Sequence, residues 1–409
     1  MKTTYFYIFL FISTINPCIS QNLDEYLKAA AENNPGLKAK YAEFEAAMQR
    51  VVQVNTLPDP TLSFGYFISP VETRVGPQRA KFGLSQMFPW FGTLAAKGEM
   101  TSLMAEAKYQ EFLNAKNELY YHVKAAWYPL YETNKLILLQ QENIEILTTF
   151  KQIATTSFKN GQGSMTDAIR TDIMMENIQT DIRLLQDKKT PLRARFNTLL
   201  NRPDTIQITM PDSIVLNVIE TAYRKDSLLS ANPILEAFNL KLRSALAQEE
   251  VARKQGLPKF GVGLDYVVVG EGTMTVPNNG KDVLMPMVSM SLPIFRGKYK
   301  AAVKEAQFTQ TAIASAKTDF ENGLISTYEM TWFELDRASQ LITLYHSQTE
   351  KTNQVLNLLL TAYSNSGKDF EEVLRMQQEL LKYQMAETTA IKDYYTALAK
   401  LDYLTAKSE

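Results

Sequence analysis

The 409-residue sequence repeats its own motifs in the same order along its length. Asn34-Pro35 recurs as Asn232-Pro233, at an offset of 198, and Leu57-Pro58 recurs as Leu257-Pro258, at an offset of 200. Further along, the offset is 205 for Trp127 and Trp332, Leu130 and Leu335, Asn160 and Asn365, and Arg170 and Arg375. Ordered matches over this length predict a tandem duplication, so each half must adopt a similar fold.

Each half is predicted to contain a helix, two strands, a very long helix and a last helix. The first repeat is assigned to 21–200 and the second to 233–409, with an inter-repeat segment at 201–232 that has short β-like pieces. The predicted helices are about 23–55, 93–158 and 165–200, then 233–255, 297–363 and 369–405. The predicted strands are about 61–69 and 79–88, then 259–269 and 283–292.

The strand segments alternate between apolar and small or polar residues, as in a sheet with two different faces. In the second half, one face carries Phe260, Val262, Leu264, Tyr266 and Val268, whereas the other carries Gly261, Gly263 and Asp265. Open sheet edges cannot lie in lipid, and single-chain outer-membrane barrels start at about eight strands. A membrane barrel therefore requires several chains, each contributing two hairpins.

The long helices are predicted to pack as coiled coils. A helix of about 65 residues is about 100 Å long, too long for a compact domain. Pro129 is expected to kink the first long helix, whereas Glu334 occupies its place in the second. The predicted seam positions are Leu136, Leu139, Asn143, Ile146, Phe150 and Ile153, then Leu341, Leu344, Gln348, Lys351, Val355 and Leu358.

The first twenty residues have the layout of a secretory signal peptide, with cleavage predicted between Ser20 and Gln21. The alternative is lipidation of Cys18, which the preceding Asn16-Pro17 disfavours. Cleavage would leave a mature chain without Cys. No later segment is apolar over the length of a transmembrane helix, so any membrane crossing is expected to use strands.

The composition favours no catalytic chemistry. The chain has two His, one Cys and a formal net charge of −1, which gives little material for a metal centre and no electrostatic reason to bind nucleic acid. The segment GVGLDY lacks the third Gly of a dinucleotide-binding loop, and His122 and His346 fit ordinary helix-surface positions. We expect no enzyme activity, no cofactor and no metal site.

The informative motifs are the Asn-Pro helix starts, the strand entries LPDP and LPKF, the segment LPIFRGKYKAAVKEA and the Gly turns before DAIR and EVLR. Together they resemble the TolC family of outer-membrane efflux proteins. The resemblance covers nearly the whole mature chain. It implies a homotrimer with a twelve-stranded β-barrel in the outer membrane, a long α-helical barrel in the periplasm and an equatorial region. It also implies docking to a periplasmic adaptor protein and an inner-membrane pump of the RND or ABC type.

The resemblance implies that two helix-to-helix turns form the periplasmic tip and contact the adaptor. These turns contain Asn160, Gly161, Gly163 and Ser164 in the first half, and Asn365, Ser366 and Gly367 in the second. The charged residues that follow them are candidates for a closed entrance held by acid–Arg contacts. These residues, called the tip charges below, are Asp167, Arg170, Asp172, Glu371, Glu372 and Arg375. For Asp167, Glu371 and Glu372, the alternative is that acids in a first helical turn complement the helix dipole.

Three aromatic residues at the strand ends, Phe88, Trp90 and Phe295, are expected at the membrane interface. Met285, Met287 and Met290 suggest soft-metal passage, but scattered Met residues more often fill packing gaps. Efflux of drugs or metals and type I protein secretion use the same duct, and the sequence does not choose between them. A periplasmic coiled-coil scaffold and an exported enzyme are the alternatives from other classes.

Overall fold

The computed structural model describes residues 23–211, 213–214, 229–366 and 370–407, except the side chains of 364–366. The predicted signal peptide, Cys18 and Gly367 lie outside these residues. The described helices are α1 (Leu23–Asn33), α2 (Pro35–Val54), α3 (Thr93–Lys159), α4 (Met165–Leu199), α5 (Pro233–Gln255), α6 (Arg296–Ser366) and α7 (Phe370–Leu404). The described strands are β1 (Thr61–Val71), β2 (Gln78–Phe88), β3 (Lys259–Val269) and β4 (Val283–Ser291).

The single helix predicted at 23–55 is wrong, because the chain forms α1 and α2 with a break at Asn34. A residue before Pro is disfavoured in helical geometry, and Asn34 is extended at φ −63° and ψ 122°. Its side-chain oxygen accepts a hydrogen bond from the Leu37 N–H at 3.1 Å. Asn232 caps α5 in the same way, accepting from the Ile234 N–H at 2.9 Å. The Asn-Pro pair therefore marks a helix start in each half.

The strands form one antiparallel sheet in the order β1-β2-β3-β4. Its centre is the pairing of β2 with β3, where Gly83 is opposite Asp265 and Leu84 is opposite Leu264. The predicted strand bounds differ from the observed ones by at most two residues. Among the described strands, β1 and β4 are the edges and pair on one side only.

The two faces of the sheet differ in chemistry, as the alternation predicts. The register places the odd-numbered residues of all four strands on one face, including Ser63, Gly83, Gly261, Asp265 and Ser289. The opposite, apolar face carries Leu62, Phe64, Tyr66, Phe82, Leu84, Phe260, Val262, Leu264, Tyr266, Leu284, Val288 and Met290. Most of this second set is exposed, which is a large apolar surface for a sheet that is not covered by other elements.

The described residues divide into two compact units. The first unit draws on described residues within 1–33, 122–219 and 335–396, and the second on those within 34–121, 220–334 and 397–409. The second unit contains the sheet. The first contains the α3–α4 and α6–α7 turns and a hydrophobic core to which α3, α4, α6 and α7 all contribute.

The helical core of the first unit corrects the predicted seam of α3. Ile146 and Ile153, predicted as seam positions, are 38% and 39% exposed. Leu136, Asn143 and Phe150 are buried as predicted, and the other buried positions of this stretch are Gln140, Leu147 and Ala154. Since four helices share this core, the apolar arc of each helix is wider than the seam of a two-stranded coiled coil. Predicted seam residues at the edge of that arc are therefore exposed.

The same correction applies to α6. Leu344, Val355 and Leu358 were expected in the seam but are 47%, 42% and 72% exposed. The buried positions near these predicted seam residues are Ile342, Thr352 and Leu356. The spacing of three and four residues was predicted correctly, but its rotational position on the helix was not.

The inter-repeat segment contains no strand in its described part, so the expected β-like pieces are absent there. Side chains of the first unit hold it instead. The amide of Asn197 donates hydrogen bonds to the Asp204 and Ile206 carbonyls at 3.0 and 2.9 Å. The Tyr26 hydroxyl accepts from the Thr209 N–H at 3.2 Å. The described residues 201–211 thus form a loop anchored on α1 and α4.

Candidate functional site

The α3–α4 turn is built by a glycine and a capping serine. Gly161 has φ 73°, a conformation that L side chains rarely adopt. The N–H of Gly161 donates to the Phe158 carbonyl and that of Gln162 to the Ser157 carbonyl, which is the Schellman pattern of a helix end. Ser164 then accepts from the Thr166 N–H at 3.2 Å and starts α4. A tight turn, determined by these local contacts, therefore contains the four predicted tip residues of the first half: Asn160, Gly161, Gly163 and Ser164.

The corresponding turn of the second half is only partly described. The α6 helix ends at Ser366 and α7 begins at Phe370. Gly367 lies outside the described residues, as do the side chains of Asn365 and Ser366. Their predicted contact with an adaptor stays a prediction.

The structure brings two of the tip charges together across the two halves. The Arg170 guanidinium on α4 donates a hydrogen bond to the Glu371 carboxylate on α7, with 2.6 Å between Nη1 and Oε2. Both side chains are exposed, at 50% and 75%. The hydrogen bond to Glu371 raises the pKa of Arg170, and the charges of Glu371 and Asp167 add to this effect. Arg170 therefore stays cationic and faces acids from both helices.

The remaining tip charges have other partners. Arg375 pairs with Glu372 one turn earlier on α7, and this hydrogen bond raises the pKa of Arg375. Asp172 pairs with Lys151 of α3, at 2.5 Å. Sequence reasoning missed Lys151, because it lies on the preceding helix and outside the turn motif. The acids are thus shared between contacts within a helix and contacts between helices.

A buried aromatic cluster supports these charges. Phe370, at the start of α7 and 3% exposed, lies 4.9 Å from the Tyr363 ring and 6.3 Å from the Phe150 ring between centroids. Val373 and Ala168, also buried, belong to the same core. The charged surface of the tip therefore rests on a packed core, which fixes the spacing between α4 and α7.

The predicted interface aromatics lie in the second unit at the end of the strands. Phe88 is the last residue of β2, and Phe295 precedes α6 with 82% exposure. Trp90 stacks on Phe260 with ring centroids 5.7 Å apart. Phe260 belongs to the apolar face of the sheet, so Trp90 extends that face beyond the strands.

The arrangement offers ionic contacts and apolar surface rather than reactive groups. Among the described residues, no group of three or more His, Cys, Asp and Glu is placed to hold a metal ion. Met285 and Met287 lie on the polar face of the sheet and Met290 on the apolar face. None of the helices in the described ranges has an apolar stretch that is long enough to span a bilayer.

The described residues thus include a sheet with one apolar face and long helices that end in charged turns. Residues 225–407 match the family model described as outer membrane efflux protein. This match supports a location in the outer membrane, with the helical part in the periplasm. The resemblance to TolC-type proteins is thereby confirmed.

Solved structures show the same fold. The outer-membrane channel OprN is 16% identical, with a TM-score of 0.76 over 94% of this chain and 90% of that chain. VceC from Vibrio cholerae is 13% identical, with a TM-score of 0.74 over 94% and 95%. The open state of MtrE from Neisseria gonorrhoeae is 19% identical, with a TM-score of 0.71 over 94% and 88%. No curated protein matches the sequence.

Proposed function

We propose that this protein is the outer-membrane exit duct of a tripartite efflux system, a passive channel that acts as a homotrimer. A periplasmic adaptor and an inner-membrane pump would supply the cargo and the energy. The efflux family of residues 225–407 supports this function. The pump selects the cargo, so a type I secretion system remains the alternative use of the same duct.

The open edges of the sheet are the observation that carries the proposal. In the described sheet, β1 and β4 each have an unpaired side next to an exposed apolar face. In lipid, an unpaired strand edge leaves backbone N–H and C=O groups without hydrogen bonds, at a cost of several kcal/mol for each group. Pairing of β1 with β4 of another copy removes both edges, and three copies give twelve strands.

The tip charges are proposed to form the entrance of the duct. The Arg170–Glu371 contact links α4 to α7, and the Lys151–Asp172 contact links α3 to α4. Both are exposed ion pairs, which are individually weak and easily exchanged for other partners. Such pairs suit an entrance that opens by rotation of packed helices and exchange of side-chain contacts.

Disulfide trapping tests the shared barrel directly. Ser63 on β1 and Ser289 on β4 lie on the same face of the sheet. Within one chain, β2 and β3 lie between these strands, so the two Cα atoms are at least about 14 Å apart and cannot be bridged. A Ser63→Cys/Ser289→Cys chain, with neighbouring β4 positions scanned for register, is expected to give covalent trimers in outer-membrane extracts.

Each single cysteine variant is the control and should yield no covalent trimer. Only monomers in the double variants, at every register scanned, would contradict the shared barrel. A soluble mature chain would favour the periplasmic scaffold instead.

A further inference from the structure

A basic cavity of about 390 Å³ lies in the second unit, where the strands meet the helices. Four lysines line it: Lys97 of α3, Lys254 of α5, Lys259 of β3 and Lys298 of α6. An adjoining cavity of about 560 Å³ shares Lys259 and Lys298. Three separate parts of the chain, around Lys97, Lys254 to Lys259 and Lys298, therefore place lysines around one space.

The positive charge of this cavity is poorly balanced by the protein. No acidic residue is among the described residues that line either space. Lys254 pairs with Glu250 at 3.1 Å, and the Lys298 ammonium lies 4.8 Å from the Tyr299 ring centroid. A concave site with one sign of charge raises the local concentration of the opposite ion. The cavity is therefore built for an anion.

The start of α3 supplies a second, independent indication. Thr93 lines the cavity, is 4% exposed, and its Oγ1 is buried without a hydrogen-bond partner. Buried polar atoms are rarely left unpaired, so this hydroxyl is available to a ligand. Just before it, Gly92 has φ 74°, and a Cβ there would lie 3.3 Å from the Lys254 ammonium. The first N–H groups of a helix also favour anions.

The apolar surroundings indicate which anion fits. Trp90 lines the cavity and stacks on Phe260 of the apolar face. Phe91 and Phe295, near the same strand–helix junctions, are 78% and 82% exposed. A small inorganic ion makes no contact with these apolar surfaces. A molecule with a phosphate group and hydrocarbon chains uses both the lysines and the apolar face.

We propose that this cavity binds the head group of an anionic phospholipid, with the acyl chains along the apolar face. The ligand phosphate contacts Lys97 and Lys298 and accepts a hydrogen bond from the Thr93 hydroxyl. The site anchors the strand–helix junction to the periplasmic leaflet. This inference rests on the proposed membrane location of the sheet, but it does not depend on conduction or on any pump.

Binding of phosphatidylglycerol to the purified full chain in detergent, followed by native mass spectrometry, tests the inference. The Lys97→Gln/Lys298→Gln variant should retain phosphatidylglycerol at least about tenfold more weakly, because each lysine near a lipid phosphate contributes on the order of 1 kcal/mol. The control is Lys300→Gln/Lys304→Gln, which removes the same charge from exposed positions of α6 outside the cavity. This control should bind like the unmodified chain.

Thr93→Val provides a second variant that keeps the fold. Without lipid, its melting temperature should not fall, because the removed hydroxyl has no partner. With phosphatidylglycerol, its affinity should fall. Equal retention by all variants, or equal retention of phosphatidylcholine, would overturn the inference. Competition by inorganic phosphate at the same affinity would assign the site to a free ion. Conductance in planar bilayers, measured separately, reports on the duct function.

Discussion

Arg170 on α4 donates a hydrogen bond to Glu371 on α7, with 2.6 Å between Nη1 and Oε2. The two residues are 201 positions apart, in different predicted repeats. Because Glu371 is also adjacent to the Glu372–Arg375 pair, the acids of α7 are shared among nearby cations. The contact is exposed to solvent, so it orients the helices more than it stabilises the fold.

Replacement of Arg170 by Ser is expected to increase the single-channel conductance in planar bilayers. Loss of the guanidinium removes the α4–α7 contact and leaves Asp167 and Glu371 to repel each other without the cation between them. Arg183→Ser, an exposed arginine further along α4, is the matched control and should conduct like the unmodified channel. Unchanged conductance of the Arg170 variant would rule out its gating role. Restoration of low conductance by Arg170→Glu/Glu371→Arg would establish that the pair itself is responsible.

Phe370→Ala is expected to lower the free energy of unfolding of the tip by about 3–5 kcal/mol, the usual cost of removing a buried Phe. Phe370 is 3% exposed and contacts the Phe150 and Tyr363 rings. Phe158→Ala, at a position 47% exposed on α3, should have a much smaller effect. Urea unfolding of the detergent-solubilised chain, followed by circular dichroism, measures the difference. Similar losses for both variants would show that the cluster is not the core of the tip.

Local signals in the sequence were sufficient for most of the secondary structure. The Asn-Pro pairs, the alternation of 259–269 and the glycine of the α3–α4 turn each act within a few residues, so the bounds were predicted closely. The split at Asn34 was missed, although its Pro35 carries the same signal that was used at Asn232. The rotational position of the α6 seam was missed because burial at Leu358 depends on how many helices pack around α6, and periodicity does not contain this information.

Part of the candidate site was also predicted, from local signals near the turns. Residue types near the turns indicated Arg170 and Glu371, and the structure places them in contact. Lys151 and the lysine cavity were not predicted, because their members come from separate elements with no shared motif. The signal in the sequence was limited to one lysine near the start of α3, Lys97, and basic residues at the start of α6 that include Lys298.

A buried hydrogen bond between amides fixes the alignment of α3 with α7. Gln377 donates to Asn143 at 2.7 Å, and both residues are buried, at 2% and 3% exposure. Asn143→Leu should lower the free energy of unfolding by about 1–3 kcal/mol, because Gln377 is then left without this partner. Asn143→Leu/Gln377→Leu should recover most of that loss, since both polar groups are removed together. Chemical unfolding of the two variants checks this order, and a double variant as unstable as the single one would contradict it.

Glu111 of α3 gives the second unit a dependence on pH. Burial raises its pKa, but hydrogen bonds from Lys108 at 2.8 Å and Lys241 at 2.6 Å outweigh burial and bring the pKa below the ordinary value. A carboxyl group with a lower pKa in the folded state stabilises the fold above its unfolded pKa, and this contribution is lost as the pH falls through the folded pKa. Acidification below about pH 4.5 is therefore expected to lower the melting temperature.

Glu111→Gln should flatten that dependence, because it removes the titrating group and keeps the shape of the side chain. Glu321→Gln on α6, where the carboxylate is exposed and pairs with Lys317 along the same helix, is the control and should leave the dependence unchanged. Melting temperatures measured between about pH 3 and pH 7 distinguish the two variants. A Glu111→Gln variant with the full dependence would assign the acid sensitivity to other carboxylates.

Gly83 leaves the space that the Asp265 carboxylate occupies at the centre of the sheet. A Cβ at Gly83 would lie 2.6 Å from Asp265 Oδ1 and 2.7 Å from Ser63 Oγ. Asp265 is 2% exposed and forms an ion pair with Lys81, so it cannot turn away without losing its partner. Gly83→Ala should therefore lower the free energy of unfolding by about 1–3 kcal/mol, as overpacking usually does, and lower the yield of assembled trimer in mild detergent.

Gly65→Ala on β1, where a Cβ meets nothing within 4 Å, is the matched control and should assemble normally. Normal assembly of both variants would show that the sheet tolerates a shift of Asp265, whereas relief of the Gly83→Ala defect by Asp265→Ala would identify the carboxylate as the cause.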